Sequence, residues 1–142
     1  PLLQLAATRA CLMEKLVLAA KPALPTLAEQ AFMVGIMSAV PAMLDIRMEE
    51  VLAQLRNLPA AVHGALLERQ GYLGKLLTLV ENLEQKEIIG SDPLEQFTTD
   101  YGAASTLRPA ALNWMHCEAM AWAARLGQPQ PKKADWDLEN DA

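Results

Sequence analysis

The side chains able to support acid–base, nucleophilic or metal chemistry are few and scattered in this sequence. The histidines are His63 and His116, the latter in an adjacent His116-Cys117 pair, and the second cysteine is Cys11. A metal centre needs several His, Cys or carboxylate ligands converging at short spacing. Neighbouring positions on a helix point about a quarter-turn apart, so His116 and Cys117 are poorly placed to share one ion. Both histidines read as surface or satisfied core residues. Ser38 lies in an apolar helical stretch, where its hydroxyl is expected to bond back to a carbonyl one turn earlier. A serine nucleophile requires a nearby base and an oxyanion hole, and no residue pattern nominates either. Near Cys11, Arg9 and Lys15 read as ordinary solvated helix charges, leaving both thiols as small buried hydrophobes.

Two further patterns have a chemical and a packing reading. Gly71-Tyr72-Leu73-Gly74-Lys75 resembles an anion-binding loop, since backbone amides ahead of a helix can cradle a phosphate. The Gly-x-x-Gly spacing is too short for a P-loop, and no Lys-Ser/Thr follows the second glycine as required. A tight turn between helices is the expectation. Glu81, Glu84 and Glu87 recur every third residue and read as a solvated helix face. No catalytic, cofactor-binding or metal-ligating residue is therefore nominated.

The elements around these residues read as helices throughout. A first helix is expected from Leu2 to Ala20, with Leu5, Leu12, Leu16 and Ala19 on one face. Pro22 and Pro25 end it. Thr26 and Glu29 form a capping-box pattern for the second helix, which carries apolar residues on nearly every face and is expected at the centre of the bundle. Pro41 should kink it or end it near Val40. Arg47 to Leu55 and Pro59 to Arg69 follow, the latter closed by Gln70 and a left-handed Gly71. A fifth helix runs from near Leu73 to Lys86 with Leu76, Leu77, Val80 and Leu83 inward. Ile88 to Pro93 reads as a connection into a brief helix begun by Pro93, and Tyr101 to Thr106 as loose. A last helix, Pro109 to Arg125, places Leu112, Met115, Ala119 and Trp122 on one stripe. The expected architecture is all-α, a compact bundle of six to seven helices over residues 1–127, followed by a flexible acidic tail over 128–142 with a lone Trp136.

Composition bounds the function. The 142 residues are 52% hydrophobic but only 5% aromatic, a core of Leu, Ala, Met and Val that favours helix. The net charge of −5 and the lack of a clustered basic run argue against nucleic-acid binding. Two distant cysteines form no disulfide framework and suit a reducing cytoplasm. No secretory signal is visible, and the apolar run from Ala31 to Leu44, 14 residues interrupted by Pro41, reads as too short for a membrane span. The chain opens on Pro1 and passes at once into an apolar helix without a Ser, Thr, Asp or Asn cap, which suggests a piece of a longer polypeptide.

The order of these segments resembles the C-terminal half of the HDOD domain, a degenerate relative of the HD phosphohydrolases. The form behind an EAL domain in bacterial cyclic-di-GMP signalling proteins is the most similar. The resemblance rests on Phe32, Gly35 and Ile36; Met48 to Leu52; Ala65 to Leu67; Gly71 and Gly74; and Ala119, Trp122 and Ala123. It covers roughly Arg9 to Leu126. In catalytic HD enzymes the glycine is followed by two hydrophobic residues and a metal-binding His-Asp pair. Those two positions are Ser38 and Ala39 here, neither able to replace them.

The resemblance implies a non-catalytic signal-transduction module without cofactor, acting through contacts with a protein partner or the parent's own upstream domain. Any cyclic-di-GMP phosphodiesterase activity would belong to an EAL domain outside this chain. It also implies helices ahead of Pro1, whose absence should expose an apolar patch on the first two helices and favour a homodimer. The rival expectations are a metal-dependent phosphohydrolase with upstream ligands and a helical adaptor unrelated to second messengers.

Overall fold

Helix α1 (Leu2–Ala20) and helix α2 (Pro25–Met37) are joined by a four-residue turn, 21–24, and pack against each other over most of their length. The turn is closed by Lys21 N–H donating to Val17 O at 2.7 Å and Leu24 N–H to Lys21 O at 3.0 Å. What brings the two helices together is a run of small residues. Ala6, Ala7 and Ala10 on α1 and Ala28, Ala31 and Gly35 on α2 are buried. At the closest point a Cβ on Gly35 would lie 2.5 Å from the Cα of Ala10 and 2.8 Å from the carbonyl carbon of Arg9. Both atoms are backbone and cannot swing aside.

The computed structural model describes residues 2–84 and 109–126. Among them every regular element is a helix, so the all-α expectation is met. After α2 come two short helices, α3 (Val40–Leu44) and α4 (Met48–Ala53), then α5 (Ala60–Glu68), α6 (Gly71–Glu84) and α7 (Pro109–Leu126). The continuation of the fifth predicted helix to Lys86, the Ile88–Pro93 connection and the Pro93 helix lie outside the described residues. So do the Tyr101–Thr106 segment and the tail with Trp136.

One hydrophobic core joins Leu12, Met13 and Leu16 of α1 to Val34 of α2, Val62 and Leu66 of α5, and Leu76 and Val80 of α6. Leu112 and Ala119 of α7 close its other side. The central element is α1, not α2. Helices α2 and α7 cover α1 on separate faces, and α6 and α3 also touch it. Leu12, Leu16 and Val17 are fully buried, whereas Ala19 is exposed and Leu5 only half-buried. On α2, Met33 reaches solvent although the sequence pattern is apolar nearly all round. Its small buried face is used up by α1, α5 and α6, which leaves the opposite face without cover.

The second helix begins differently from the capping-box expectation. Its N-cap is Leu24 and Pro25 stands in the first turn, with no side-chain cap hydrogen bond. Proline preset at a helix start lacks only an N–H that would be unpaired there anyway. The helix also stops at Met37, before Val40, and Pro41 falls in the first turn of α3 rather than kinking α2. Taken together, Pro25–Leu44 is 20 residues of mean hydropathy 1.5, long and apolar enough to cross a membrane by length and composition, with 28% of it buried. The 14 residues from Ala31 to Leu44 are the more apolar part of this stretch, and the mixed first turns of α2 bring it to 20. The turn at Ser38 and Ala39 divides the stretch into two helices.

The Gly-x-x-Gly segment is not the inter-helix turn its spacing suggests: the break falls at Arg69 and Gln70, and Gly71 to Gly74 form the first turn of α6. The left-handed residue that ends α5 is Arg69 (φ 56°), while Gly71 (φ 72°) is left-handed at the start of α6. Arginine has no intrinsic liking for that conformation. Its guanidinium compensates by donating from Nη1 to Leu66 O at 2.8 Å and from Nε to Glu81 at 2.9 Å. Gly74 is required for space, since a Cβ there would stand 2.2 Å from the carbonyl carbon of Arg69.

Replacing Gly35 by alanine tests the α1–α2 contact. Alanine in a helix interior normally adds about 0.5–1 kcal/mol over glycine. Here overpacking against backbone should reverse the sign and cost about 1–3 kcal/mol. Urea unfolding of Gly35→Ala measures it, and a variant as stable as the parent would mean that the two helices do not approach this closely.

Candidate functional site

Ser38 and Ala39 form the turn at the junction of α2 and α3. Ala39 is buried and offers no donor atom. The Ser38 hydroxyl donates to Gly35 O at 2.7 Å, the backward bond expected from its place on the helix. It also accepts from Arg9 Nη1 at 3.2 Å. The close approach at Gly35 is what brings Arg9, one residue before Ala10, within reach of Ser38.

Arg9 is therefore not a solvated helix charge. Its side chain is only 13% exposed, and its Nε and Nη2 donate to the two carboxylate oxygens of Glu84 at 2.7 and 2.8 Å. Such a fork pairing is among the stronger charge-assisted contacts. The hydrogen bonds to Glu84 hold the guanidinium above its ordinary pKa against the desolvation of burial, and the charges of Glu84 and Glu81 add to the rise. A raised pKa in the folded state means that the guanidinium stays charged throughout the working range and that its own contribution is lost only as pH rises through that value.

The reading of Glu81, Glu84 and Glu87 as a solvated face is likewise corrected. Glu84 is bound to Arg9, and Glu81 accepts from Arg69 Nε and Nη2 at 2.9 and 3.2 Å. Glu87 lies outside the described residues. The three-residue spacing was the visible signal, but the two arginine partners come from α1 and from the residue that caps α5.

The histidines and cysteines do not converge. His63 is exposed on α5 and His116 is half-buried on α7. Among the described residues no three His, Cys, Asp or Glu side chains are grouped to hold a metal. Cys117 is exposed, contrary to its expected burial, because its position on α7 faces away from α1. Cys11 is half-buried, and burial pushes its thiol pKa up; Lys15 opposes the shift while Glu14 and Glu118 add to it.

A second feature, invisible in the sequence, is a pair of joined hollows along α1. The first, about 350 Å³, is lined by Glu14, Leu18, Pro25, Ala28, Glu29 and Phe32, between α1 and α2. The second, about 330 Å³, shares Glu14, Leu18 and Phe32 and runs under α7 to Cys11, Lys15, Glu118, Trp122 and Arg125. Phe32 and Trp122 meet edge-to-face, with centroids 6.3 Å apart and rings at 77°, tying α2 to α7 beside the groove. Lys15 pairs with Glu118 at 3.7 Å. No protein-family model, curated protein or solved structure significantly matches this chain.

Two outcomes follow for these residues. Glu84→Ala should cost about 1–3 kcal/mol in urea unfolding, because it leaves a largely buried guanidinium unpaired. Replacing Arg9 and Glu84 together by Met and Leu should cost less than the two single losses added. Additive, near-zero effects would mark the pair as a surface contact. For the thiols, iodoacetamide at neutral pH should modify Cys117 first. Cys11, held protonated, should follow more slowly and speed up toward alkaline pH, as followed by mass spectrometry.

Proposed function

We propose that this chain is the C-terminal part of a degenerate, HDOD-like helical bundle of six to seven helices. It serves as a non-catalytic signal-transduction module working through protein–protein contacts, in a parent resembling the EAL–HDOD cyclic-di-GMP proteins. The observation that carries the non-catalytic reading is the arrangement at Ser38. The position corresponding to the metal-binding dyad faces the Arg9 guanidinium, a fixed cation, and the carboxylate on the far side of that arginine, Glu84, has both oxygens engaged by it. A divalent ion would meet repulsion from the arginine and would have to displace it to reach a ligand.

The interaction reading is supported by the apolar surface. Leu2, Leu3, Leu18 and Met33 on the first two helices and Leu24 in the turn between them are exposed, as are Trp114 and Met120 on α7. Single exposed apolar residues are ordinary, but this many on three neighbouring helices fit contact surfaces. The proposed occupants are a protein partner or the domain upstream in the same polypeptide, with self-association of the isolated chain through α1 residues such as Leu2 and Leu3.

A photoreactive amino acid at Met33 should capture protein in cells, whereas the same group at the exposed Lys75 should not. The purified protein should neither retain stoichiometric iron or manganese nor hydrolyse cyclic-di-GMP when those metals are added. Tightly bound metal with turnover would overturn the proposal in favour of an HD-type phosphohydrolase. Equal capture at both positions would remove the support for a dedicated contact face.

A further inference from the structure

The hollow between α1 and α2 joins an apolar lining to unpaired negative charge. Leu18, Pro25, Ala28 and Phe32 supply the apolar surface, and the charged groups on it are Glu14 from one helix and Glu29 from the other. Among the described residues neither carboxylate has an ion-pair partner. Lys15, next along the groove, is already paired with Glu118. We propose, resting on the interaction role above, that this hollow docks a basic amphipathic protein segment: an apolar side chain seated on Leu18 and Phe32, flanked by lysine or arginine facing Glu14 and Glu29.

The charge decides the class of occupant. Covering the hollow with a purely apolar or acidic segment would strip water from two carboxylates without replacing it, and uncompensated desolvation of a charge costs several kcal/mol. A lysine or arginine one helical turn from the apolar anchor restores a partner to each. A second copy placed two-fold across the hollow would set its own Glu14 and Glu29 against these, so self-docking here is disfavoured. The net charge of −5 steers a basic segment toward the protein before contact.

The test uses the full chain, titrated calorimetrically with a synthetic amphipathic helix of leucine, alanine and lysine. Two controls replace its lysines by glutamate or its leucines by serine. The lysine peptide should bind and both controls should bind at least about tenfold more weakly. The double variant Glu14→Gln/Glu29→Gln, altered only at groups outside the core, should lose about tenfold of that affinity, and added salt should narrow the gap. In a Cys117→Ser background the bound peptide should slow alkylation of Cys11 in the adjoining hollow. Equal affinity for the lysine and glutamate peptides, or unchanged affinity in the double variant, overturns the basic-partner assignment. If the glutamate peptide still protects Cys11, the groove remains a contact face and only its charge preference fails. If no peptide binds while Met33 still captures protein in cells, the hollow is not the docking site and the wider interaction reading stands.

Discussion

The close approach of α1 and α2 at Ala10 and Gly35 is the constraint from which the rest of the arrangement follows. Two helices whose backbones nearly touch need small residues on both sides, and this pair supplies alanines and one glycine. Dispersion contacts along such an interface are dense, because no long side chain holds the axes apart. The same closeness carries Arg9 to Ser38, fixes the end of α2, and leaves the outward face of α2 uncovered. The groove with Glu14, Leu18 and Phe32 is the outer margin of that contact.

Charge then ties together parts that the hydrophobic core alone would leave free to slide. Arg9 and Glu84 are 75 positions apart in the chain, yet they join the middle of α1 to the end of α6 through a forked pair beside the core. Arg69 and Glu81 do the same across the α5–α6 turn, while the left-handed backbone of Arg69 is anchored by its own guanidinium on Leu66 O. Hydrophobic packing is tolerant of small shifts, whereas a two-pronged hydrogen-bonded pair is satisfied in one geometry only. These pairs contribute register more than net stability, since each charge gives up water to form them.

Much of the helical layout was legible because it depends on local rules. The span of α1 from Leu2 to Ala20, the acidic first turn of α4 and the apolar stripe of α7 all follow from period and capping charge. Where local signals competed, the weaker one was easily mistaken for the stronger. Thr26 and Glu29 have capping-box spacing, yet Pro25 preorganises the turn before them and the helix starts there instead. The charged residues were the least legible. Nothing near Arg9 in sequence announces Glu84, so a buried pair looks like two surface charges, and the groove has no linear signature at all.

By itself, the sequence determined the helical class, the limited stock of metal-ligating and nucleophilic side chains, and the presence of Ser38 and Ala39 after Gly35. Composition and periodicity act within a few turns of the chain, so these properties are set before any long-range contact forms. Only the tertiary structure decided that α1 rather than α2 is central, that Arg9 is held by Glu84 and Ser38, and that Glu14 and Glu29 face one apolar hollow. Each of those depends on which helix faces lie against each other. That choice is made by the fit of small residues and the desolvation of charge across the whole bundle, quantities that no single segment contains.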